Sequence, residues 1–561
     1  MGEIYGGHLV AKYLKEVEGV TTLFALTGGH IDRIFDGCLE YGVKIIDVRH
    51  EQAAAMMAHS WSIFRQQPGV CLVTAGPGFT NSLTGLVNAY LDNVPIVLLS
   101  GTAPVRDWEK GALQEMNQSD MVKSVVKWSG VCYDTKRIPE YLSKAFRHAV
   151  SGRPGPVFLE LPPDVLNVKV IEEEVPLPNR GNRIYKSMPD PAAIEEAASL
   201  INSSKKPLLV GGSGVGFSDC DKELLDFVDK TGIPFTLLNN GRGAIPDGHP
   251  LSLWDGGQMA LLTALSQADL VIVLGLRFNW LVGFGQGFPQ AKVVRVDIDP
   301  TEIDRNRGSD IGLVGDIGLS LKQLNTLVEQ RDHGSWVKAL RDSYLPLIAG
   351  ELDCRQRTTE PIHPARLVEQ IRKATQDNAI YIVDGGDTSY FGLVGLKAKE
   401  KSSVLATAAG LLGCLGTGVP FGIGAKVARP DQTVVVLNGD GSFGFNAMEF
   451  ETAVRHNIPF VCVVFNDQAW GMIKHGQEIS YGSERVMGSE LGLVHYEKVV
   501  EALGGYGELV SKDDEIIPAI KRALDSGKPA CINVLTDPTV TSPATLLFVA
   551  SLTMEEMSPA G

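Results

Sequence analysis

A chain of 561 residues, 44% of them hydrophobic, is too long to fold around one core and has the apolar residues to fill several. A formal net charge of −15 argues against a nucleic-acid partner or an anionic membrane surface, and no apolar run reaches bilayer-spanning length. Eight cysteines lie scattered without a CxxC pair and read as reduced core residues, so a cytoplasmic, acidic enzyme is expected. The opening segment MGEIYGGHLVAKYLKE reads as an amphipathic helix rather than a signal peptide, and Gly6 stands where a myristoylation signal has Ser or Thr.

Taken in chain order, strands and helices alternate in three blocks, which predicts an α/β chain of three consecutive doubly wound parallel-sheet domains at 1–171, 191–330 and 365–540. In the first block, the run Leu23–Phe35 leads through two glycines to His30. A short strand, Lys44–Val48, precedes an apolar helix that Glu51 opens, and Gly76-Pro77-Gly78 makes a tight turn with Asn81 opening the next helix. Locally, Glu51 reads equally as a dipole-favourable acid in a first helical turn, and His30 as a helix cap or as a proton shuttle titrating near neutral pH. The block closes on Arg153–Leu166, and an irregular link, Glu172–Pro191, follows. The middle block opens with Lys205–Gly216 and continues with strands Leu270–Leu274 and Lys292–Asp297. Its turn Gly211–Gly216 and the pair Asp297/Asp299 suit a dinucleotide, but a lone glycine-rich turn is weak evidence and no flavin is assigned. A second irregular link, Glu329–Pro364, leads to the third block and its strands Ile380–Val383, Thr433–Leu437 and Phe460–Phe465; the first and third blocks are candidates for a shared fold.

The third block holds the most informative stretch, Asn438–Gly471. A strand, a Gly-Asp-Gly turn, a helix, a second strand and Asn466-Asp467 bring Asp440 and Asp467 to the carboxyl edge of one parallel sheet. Two carboxylates there make a hard-oxygen site, and flanking glycines and a helix N-terminus admit a phosphate, so a divalent ion bridging both to a diphosphate is physically sensible.

This stretch resembles the thiamine diphosphate motif of acetolactate-synthase-like and pyruvate-decarboxylase-like enzymes, with Asp467 where the family usually has Asn. The resemblance extends over about 4–540 and implies thiamine diphosphate and Mg2+ as cofactors. It implies metal positions at Asp440, Asp467 and Ala469, and cofactor contacts at Glu51, Pro77, Asn81, Gly386, Thr388, Gly413, Leu415, Gly439, Asp440, Gly441, Ser442, Asp467 and Met472. Glu51 in HEQAAA would activate the aminopyrimidine, and Leu415 would prop the bent cofactor. GGHID around His30, with Gln114 in Gly111–Gln118, is similar to benzaldehyde-lyase-type members, where His and Gln face the substrate carbonyl. The implied activity is a carbon–carbon lyase or carboligase that cleaves or forms 2-hydroxy ketones, with catalytic residues Glu51, His30 and Gln114 and a small carbonyl compound (aldehyde, 2-hydroxy ketone or 2-keto acid) as substrate. Met472 narrows the expected pocket. Gly275–Gly285 looks instead like oxalyl-CoA decarboxylases and 2-hydroxyacyl-CoA lyases, so acetolactate synthesis and 2-hydroxyacyl-CoA cleavage stand as alternatives. The tail after Thr536 has no Lys or Arg to clamp a CoA, and a catalytically silent binding subunit would have no need of Glu51, Asp440 and Asp467 together. In the family the cofactor bridges the first block of one chain and the third of another, which implies a homodimer at minimum and a homotetramer as the expected assembly.

Overall fold

The computed structural model describes residues 2–406 and 410–553; the last residues of the tail read above, 554–561, lie outside the described residues. Three parallel sheets dominate. The first runs Lys44–Asp47, Thr22–Ala25, Gly69–Val73, Ile96–Gly101, Val157–Leu161, Ser129–Val131, and the third runs Val404–Ala406, Ile380–Asp384, Val434–Gly439, Val461–Asn466, Ala530–Leu535, Tyr506–Val510. Numbered by sequence within each block, both orders are second, first, third, fourth, sixth, fifth, so the first and third blocks share one topology. The middle sheet, Phe235–Leu237, Pro207–Gly211, Leu270–Leu274, Lys292–Asp297, Ile311–Val314, begins with the same reversal. Helices cover the sheets, so central strands such as Gly69–Val73 and Val434–Leu437 are buried on both faces and read as unbroken apolar runs. In each sheet the chain order reverses between the first and third strands. A crevice opens there at the carboxyl ends, and this reversal is where doubly wound folds bind ligands.

One contiguous core joins the first and third blocks. Its centre is the helix Glu51–Arg65, buried on nearly all sides between Pro77–Leu91 and Gly418–Ala428. Glycine permits that approach: a methyl group on Gly424 would lie 2.5 Å from the Met57 carbonyl oxygen. Ser60 Oγ donates to the Phe421 carbonyl at 2.8 Å across the same seam. The middle sheet has separate cores on its two faces.

Three local expectations are corrected. The N-terminus opens as a strand, Glu3–Tyr5, antiparallel to Lys169–Ile171, before its helix starts at Gly6, because Ile4 and Tyr5 have a strand edge within reach. The link Glu329–Pro364 contains a 23-residue helix, Gly334–Gln356, whose Trp336, Val337, Leu340, Tyr344 and Ile348 recur at helical spacing and are buried. Asn81 does not open a helix; it sits in the second turn of Pro77–Leu91, which Pro77 opens after Gly76 at φ +62°. No helix among the described residues is long and apolar enough to cross a membrane.

Candidate active site

At the reversal point of the third sheet, strand Val434–Gly439 passes directly into helix Asp440–Asn446, so the Gly-Asp-Gly tripeptide is a strand-to-helix junction. Asp440 Oδ1 accepts from the Gly441 amide at 2.8 Å, while the buried Oδ2 has no hydrogen-bond partner. Burial and then the charge of Asp467 hold Asp440 well above the usual carboxylate range. Asp467 is raised too, by burial and by the charge of Asp387. Asp467 Oδ1 accepts from the Ala469 amide at 3.2 Å, through a turn that puts Gln468 at φ +64°. Two desolvated carboxylates, each disfavoured as an anion, are what a divalent cation relieves. Among the described residues no group of three His, Cys, Asp or Glu side chains gathers, so such a cation would need further oxygens from backbone or ligand.

Small residues line the space beside this pair. Side chains added at Gly386 and Gly441 would run into Met472 and the Trp470 ring, at 2.8 and 2.5 Å, and Gly439 adjoins Thr388 and Gly385. The buried Ser389 Oγ is also unpartnered. Sequence reasoning missed Asp384, the last residue of its strand. Its carboxylate accepts from the Gly418 amide at 2.8 Å and also meets Gly385, Gly416 and Ser442, drawing three loops together; burial pushes it up to about 6. Gly413 (φ +62°) borders open space, and Leu415 is half-buried on the same loop. The glycine cradle, the orphaned Asp440 oxygen and the oxygen-rich donor set fit a metal-bound diphosphate.

At the reversal point of the first sheet a second group assembles. Glu51, 5% exposed, opens its helix; Oε2 accepts from Asn81 Nδ2 at 3.0 Å, and Oε1 faces Gly78. His30 Nδ1 lies 3.4 Å from Thr74 Oγ1, and its ring meets the Leu113 backbone. Burial holds the imidazole below its ordinary 6.5. Gln114, at φ +60°, packs on Gly76, and its buried Oε1 has no partner. Thr74 touches both Gly78 and His30, so Glu51, His30, Gln114, Asn81 and Pro77 surround one turn. His30 lies just ahead of the helix Asp32–Tyr41 rather than capping it; Ile31 occupies the N-cap position.

The two groups stay separate within the chain. Among the described residues no hydrogen bond or ion pair joins Glu51 to Asp440 or Asp467. Among the bonds that link the blocks, those nearest Glu51 come from Glu449, buried, which accepts from the Arg49 and His50 amides just ahead of it. The tail, read from sequence as offering no clamp, forms helix Pro543–Thr553 against helix Gly471–Tyr481. Asp387 pins it: Oδ1 accepts from Ser542 and Thr545 at 2.5 and 2.6 Å, and Oδ2 pairs with His475 at 3.3 Å. His475 is raised by Asp387, and its other nitrogen reaches the Pro538 carbonyl. Asp387 lay inside a quoted motif, but nothing local marks a carboxylate that binds residues 155 and 158 positions away.

At the middle reversal point a cavity of about 490 Å³ is lined by Gly214, Gly275, Arg277, Asp297, Lys401 and Arg153, among others.

Comparison with known proteins converges on these features. Family models described as the N-terminal TPP binding, central and C-terminal TPP binding domains of thiamine pyrophosphate enzymes match residues 4–121, 194–324 and 384–534. A probable acetolactate synthase of Mycobacterium bovis is 34% identical over 546 residues, spanning 96% of this chain and 97% of that protein. A 2-hydroxyacyl-CoA lyase of Arabidopsis thaliana is 33% identical over 95% of this chain and 96% of that protein, and an oxalyl-CoA decarboxylase of Escherichia coli is 30% identical over 95% of each. The chain therefore belongs to the thiamine pyrophosphate enzymes of carboligase and lyase type, whose cofactor is thiamine diphosphate bound with Mg2+.

Proposed function

We propose that the protein is a carbon–carbon lyase and carboligase that cleaves or forms 2-hydroxy ketones from small aldehydes, with benzaldehyde-lyase-like chemistry. The observation that carries this reading is the pairing of His30 with Gln114, one titratable ring and one buried amide oxygen without a partner, around the Thr74–Gly78 turn.

Bound thiamine diphosphate supplies a nucleophilic carbon for making and breaking the bond beside a carbonyl. Asp440 and Asp467, with Ala469, would hold the Mg2+ that the diphosphate needs. Gly439, Gly441, Ser442, Gly386 and Thr388 cradle the phosphates, and Gly413, Leu415, Met472, Pro77 and Asn81 bound the rings. Glu51, fixed through Oε2 by Asn81, would hold or release a proton at Oε1. His30, kept neutral by burial, would take the proton of the substrate hydroxyl through a ring nitrogen and return it, while Gln114 Nε2 would donate a hydrogen bond to the oxygen of that hydroxyl and orient it. The first-sheet group lies at the surface, with Pro77 and Asn81 exposed, and Phe445 and Met448 of the third block are 57% and 52% exposed apolar side chains. These surfaces support an active unit of at least two chains, with domains at 1–171, 191–330 and 365–540.

A second reading is favoured by one observation. The cavity between the middle and first blocks, with Arg153, Arg277 and Lys401 on its walls, suits the nucleotide end of a CoA thioester, the substrate class in the names of the Arabidopsis and Escherichia coli relatives. The test is a product screen of holoenzyme with benzoin, acetoin, pyruvate and a 2-hydroxyacyl-CoA. Cofactor-dependent aldehyde release from benzoin or acetoin is expected. Turnover confined to the CoA thioester would establish the second reading, and turnover confined to pyruvate would establish acetolactate-type synthesis.

A further inference from the structure

The two side chains that would face substrate each rest on a glycine. A methyl group on Gly101 would lie 2.6 Å from His30 Cβ, and one on Gly76 would lie 2.8 Å from Gln114 Cβ, so a small displacement of either glycine moves the side chain above it. Gly101 ends the strand Ile96–Gly101, and Gly76 sits in the turn after Gly69–Val73. A single amide bonds to both. Gln118 Oε1 accepts from the Gly76 amide at 3.0 Å, and Gln118 Nε2 donates to the Gly101 carbonyl at 2.9 Å and to Glu160 Oε2 at 3.1 Å. Gln118 is 0% exposed and Glu160, on strand Val157–Leu161, is 1% exposed. The other Glu160 oxygen accepts from the amide and hydroxyl of Ser119, at 3.0 and 2.6 Å, which fixes the loop bearing Gln114 from the far side.

We infer that Gln118 is a positioning residue for the reaction: its carboxamide sets the separation and aim of His30 and Gln114 by tying together the glycines beneath them. The inference rests on the reading of that pair given above. A carboxamide accepts from a backbone N–H through its oxygen and donates to a backbone carbonyl through its nitrogen at once. Its burial against Glu160, both of whose oxygens are hydrogen-bonded, makes a rigid, fully paired network, and such preorganisation at a reacting centre is sensitive to displacements near 1 Å.

The test combines Gln118→Met, which keeps volume and removes every polar contact, with His30→Ala and Gln114→Ala in the holoenzyme. On benzoin cleavage, Gln118→Met is expected to lower kcat about 10- to 100-fold with KM little changed. The same substitution in the His30→Ala/Gln114→Ala background is expected to cost nothing further, because the groups it aims are gone. Ring-labelled histidine NMR supplies a readout independent of substrate: the His30 titration should move toward an ordinary histidine value as the site loosens. Unchanged kcat, an additive loss in the double-variant background, or an unmoved His30 titration would overturn the inference. If His30→Ala and Gln114→Ala leave kcat unchanged, the reading of the pair fails and the inference falls with it. If Gln118→Met does not fold, Gln118→Asn, which keeps an amide and shortens its reach, takes its place in the same measurements.

Discussion

Glu51 is held on one side only: Asn81 engages Oε2, and Oε1 is directed past Gly78. Such a carboxylate is fixed in place yet has an oxygen for a ligand proton. Glu51→Gln keeps the shape and the Asn81 contact but cannot share that proton. It should fold and bind thiamine diphosphate while slowing exchange of the cofactor's C2 proton by about 10²- to 10⁴-fold, read by quenched-flow NMR; wild-type exchange would refute the role. His30 makes a different prediction because burial lowers its pKa from 6.5. The neutral ring is the proton acceptor, so activity is retained as pH falls past the ordinary histidine value and is lost only below it. His30→Ala should abolish that acid limb and lower kcat about 10²-fold, with little change in thermal midpoint. A stability loss with unchanged turnover per folded molecule would instead make His30 a structural residue. His30 was singled out in the sequence by the two glycines before it and Glu51 by opening a helix after a short strand, while Gln114 rested on the family resemblance. Asp384, Gln118 and Glu449 were not legible there. Glu449 binds Arg49 across 400 positions, and only the folded chain makes that a contact.

At the scale of elements, the strands were the most legible feature, since buried parallel strands are short, β-branched and continuous, and the expected runs at Leu270–Leu274 and Lys292–Asp297 match to the residue. Helices whose apolar faces are interrupted by charge were hidden. Gly334–Gln356 contains Pro346 and many charged residues, so its stripe of Trp336, Leu340 and Tyr344 was lost in an apparently irregular link. The tail helix Pro543–Thr553 is almost wholly apolar and shows no amphipathic signal. Its position is fixed instead by polar contacts at its start, Ser542 just ahead of it and Thr545 in its first turn donating to Asp387. Hydrogen bonds to a charged group each contribute about 1.5–3 kcal/mol, so removing this acceptor should free the tail without unfolding the sheets. Asp387→Ala should make the segment after Asp537 the first site of limited proteolysis and lower kcat/KM about tenfold. A tail as resistant as in the wild type would show that its packing against Gly471–Tyr481 suffices.

For the whole molecule, the strand reversal recurs in all three sheets, so one chain carries a crevice of the same kind three times, at Gly76 and His30, at Gly212–Gly216, and at Asp384 and Asp440. The first and third crevices hold complementary halves of the proposed chemistry, a proton-handling group and a metal-diphosphate anchor. They share one apolar core, yet among the described residues no hydrogen bond or ion pair joins Glu51 to Asp440 or Asp467. Both halves were proposed from sequence motifs, which leave open whether one chain or two complete a site. The proposal is that Glu51 of one chain and Asp440 of another act on the same cofactor. Complementation tests it most directly: inactive Glu51→Gln protein is mixed with inactive Asp440→Ala protein under conditions of subunit exchange, and turnover is measured once heterodimers are demonstrated. Because one site in each mixed dimer receives both intact residues, the account predicts that activity returns in proportion to heterodimer, up to one working site per dimer. Heterodimers that stay inactive, or wild-type turnover by a monomer in light scattering, would contradict it.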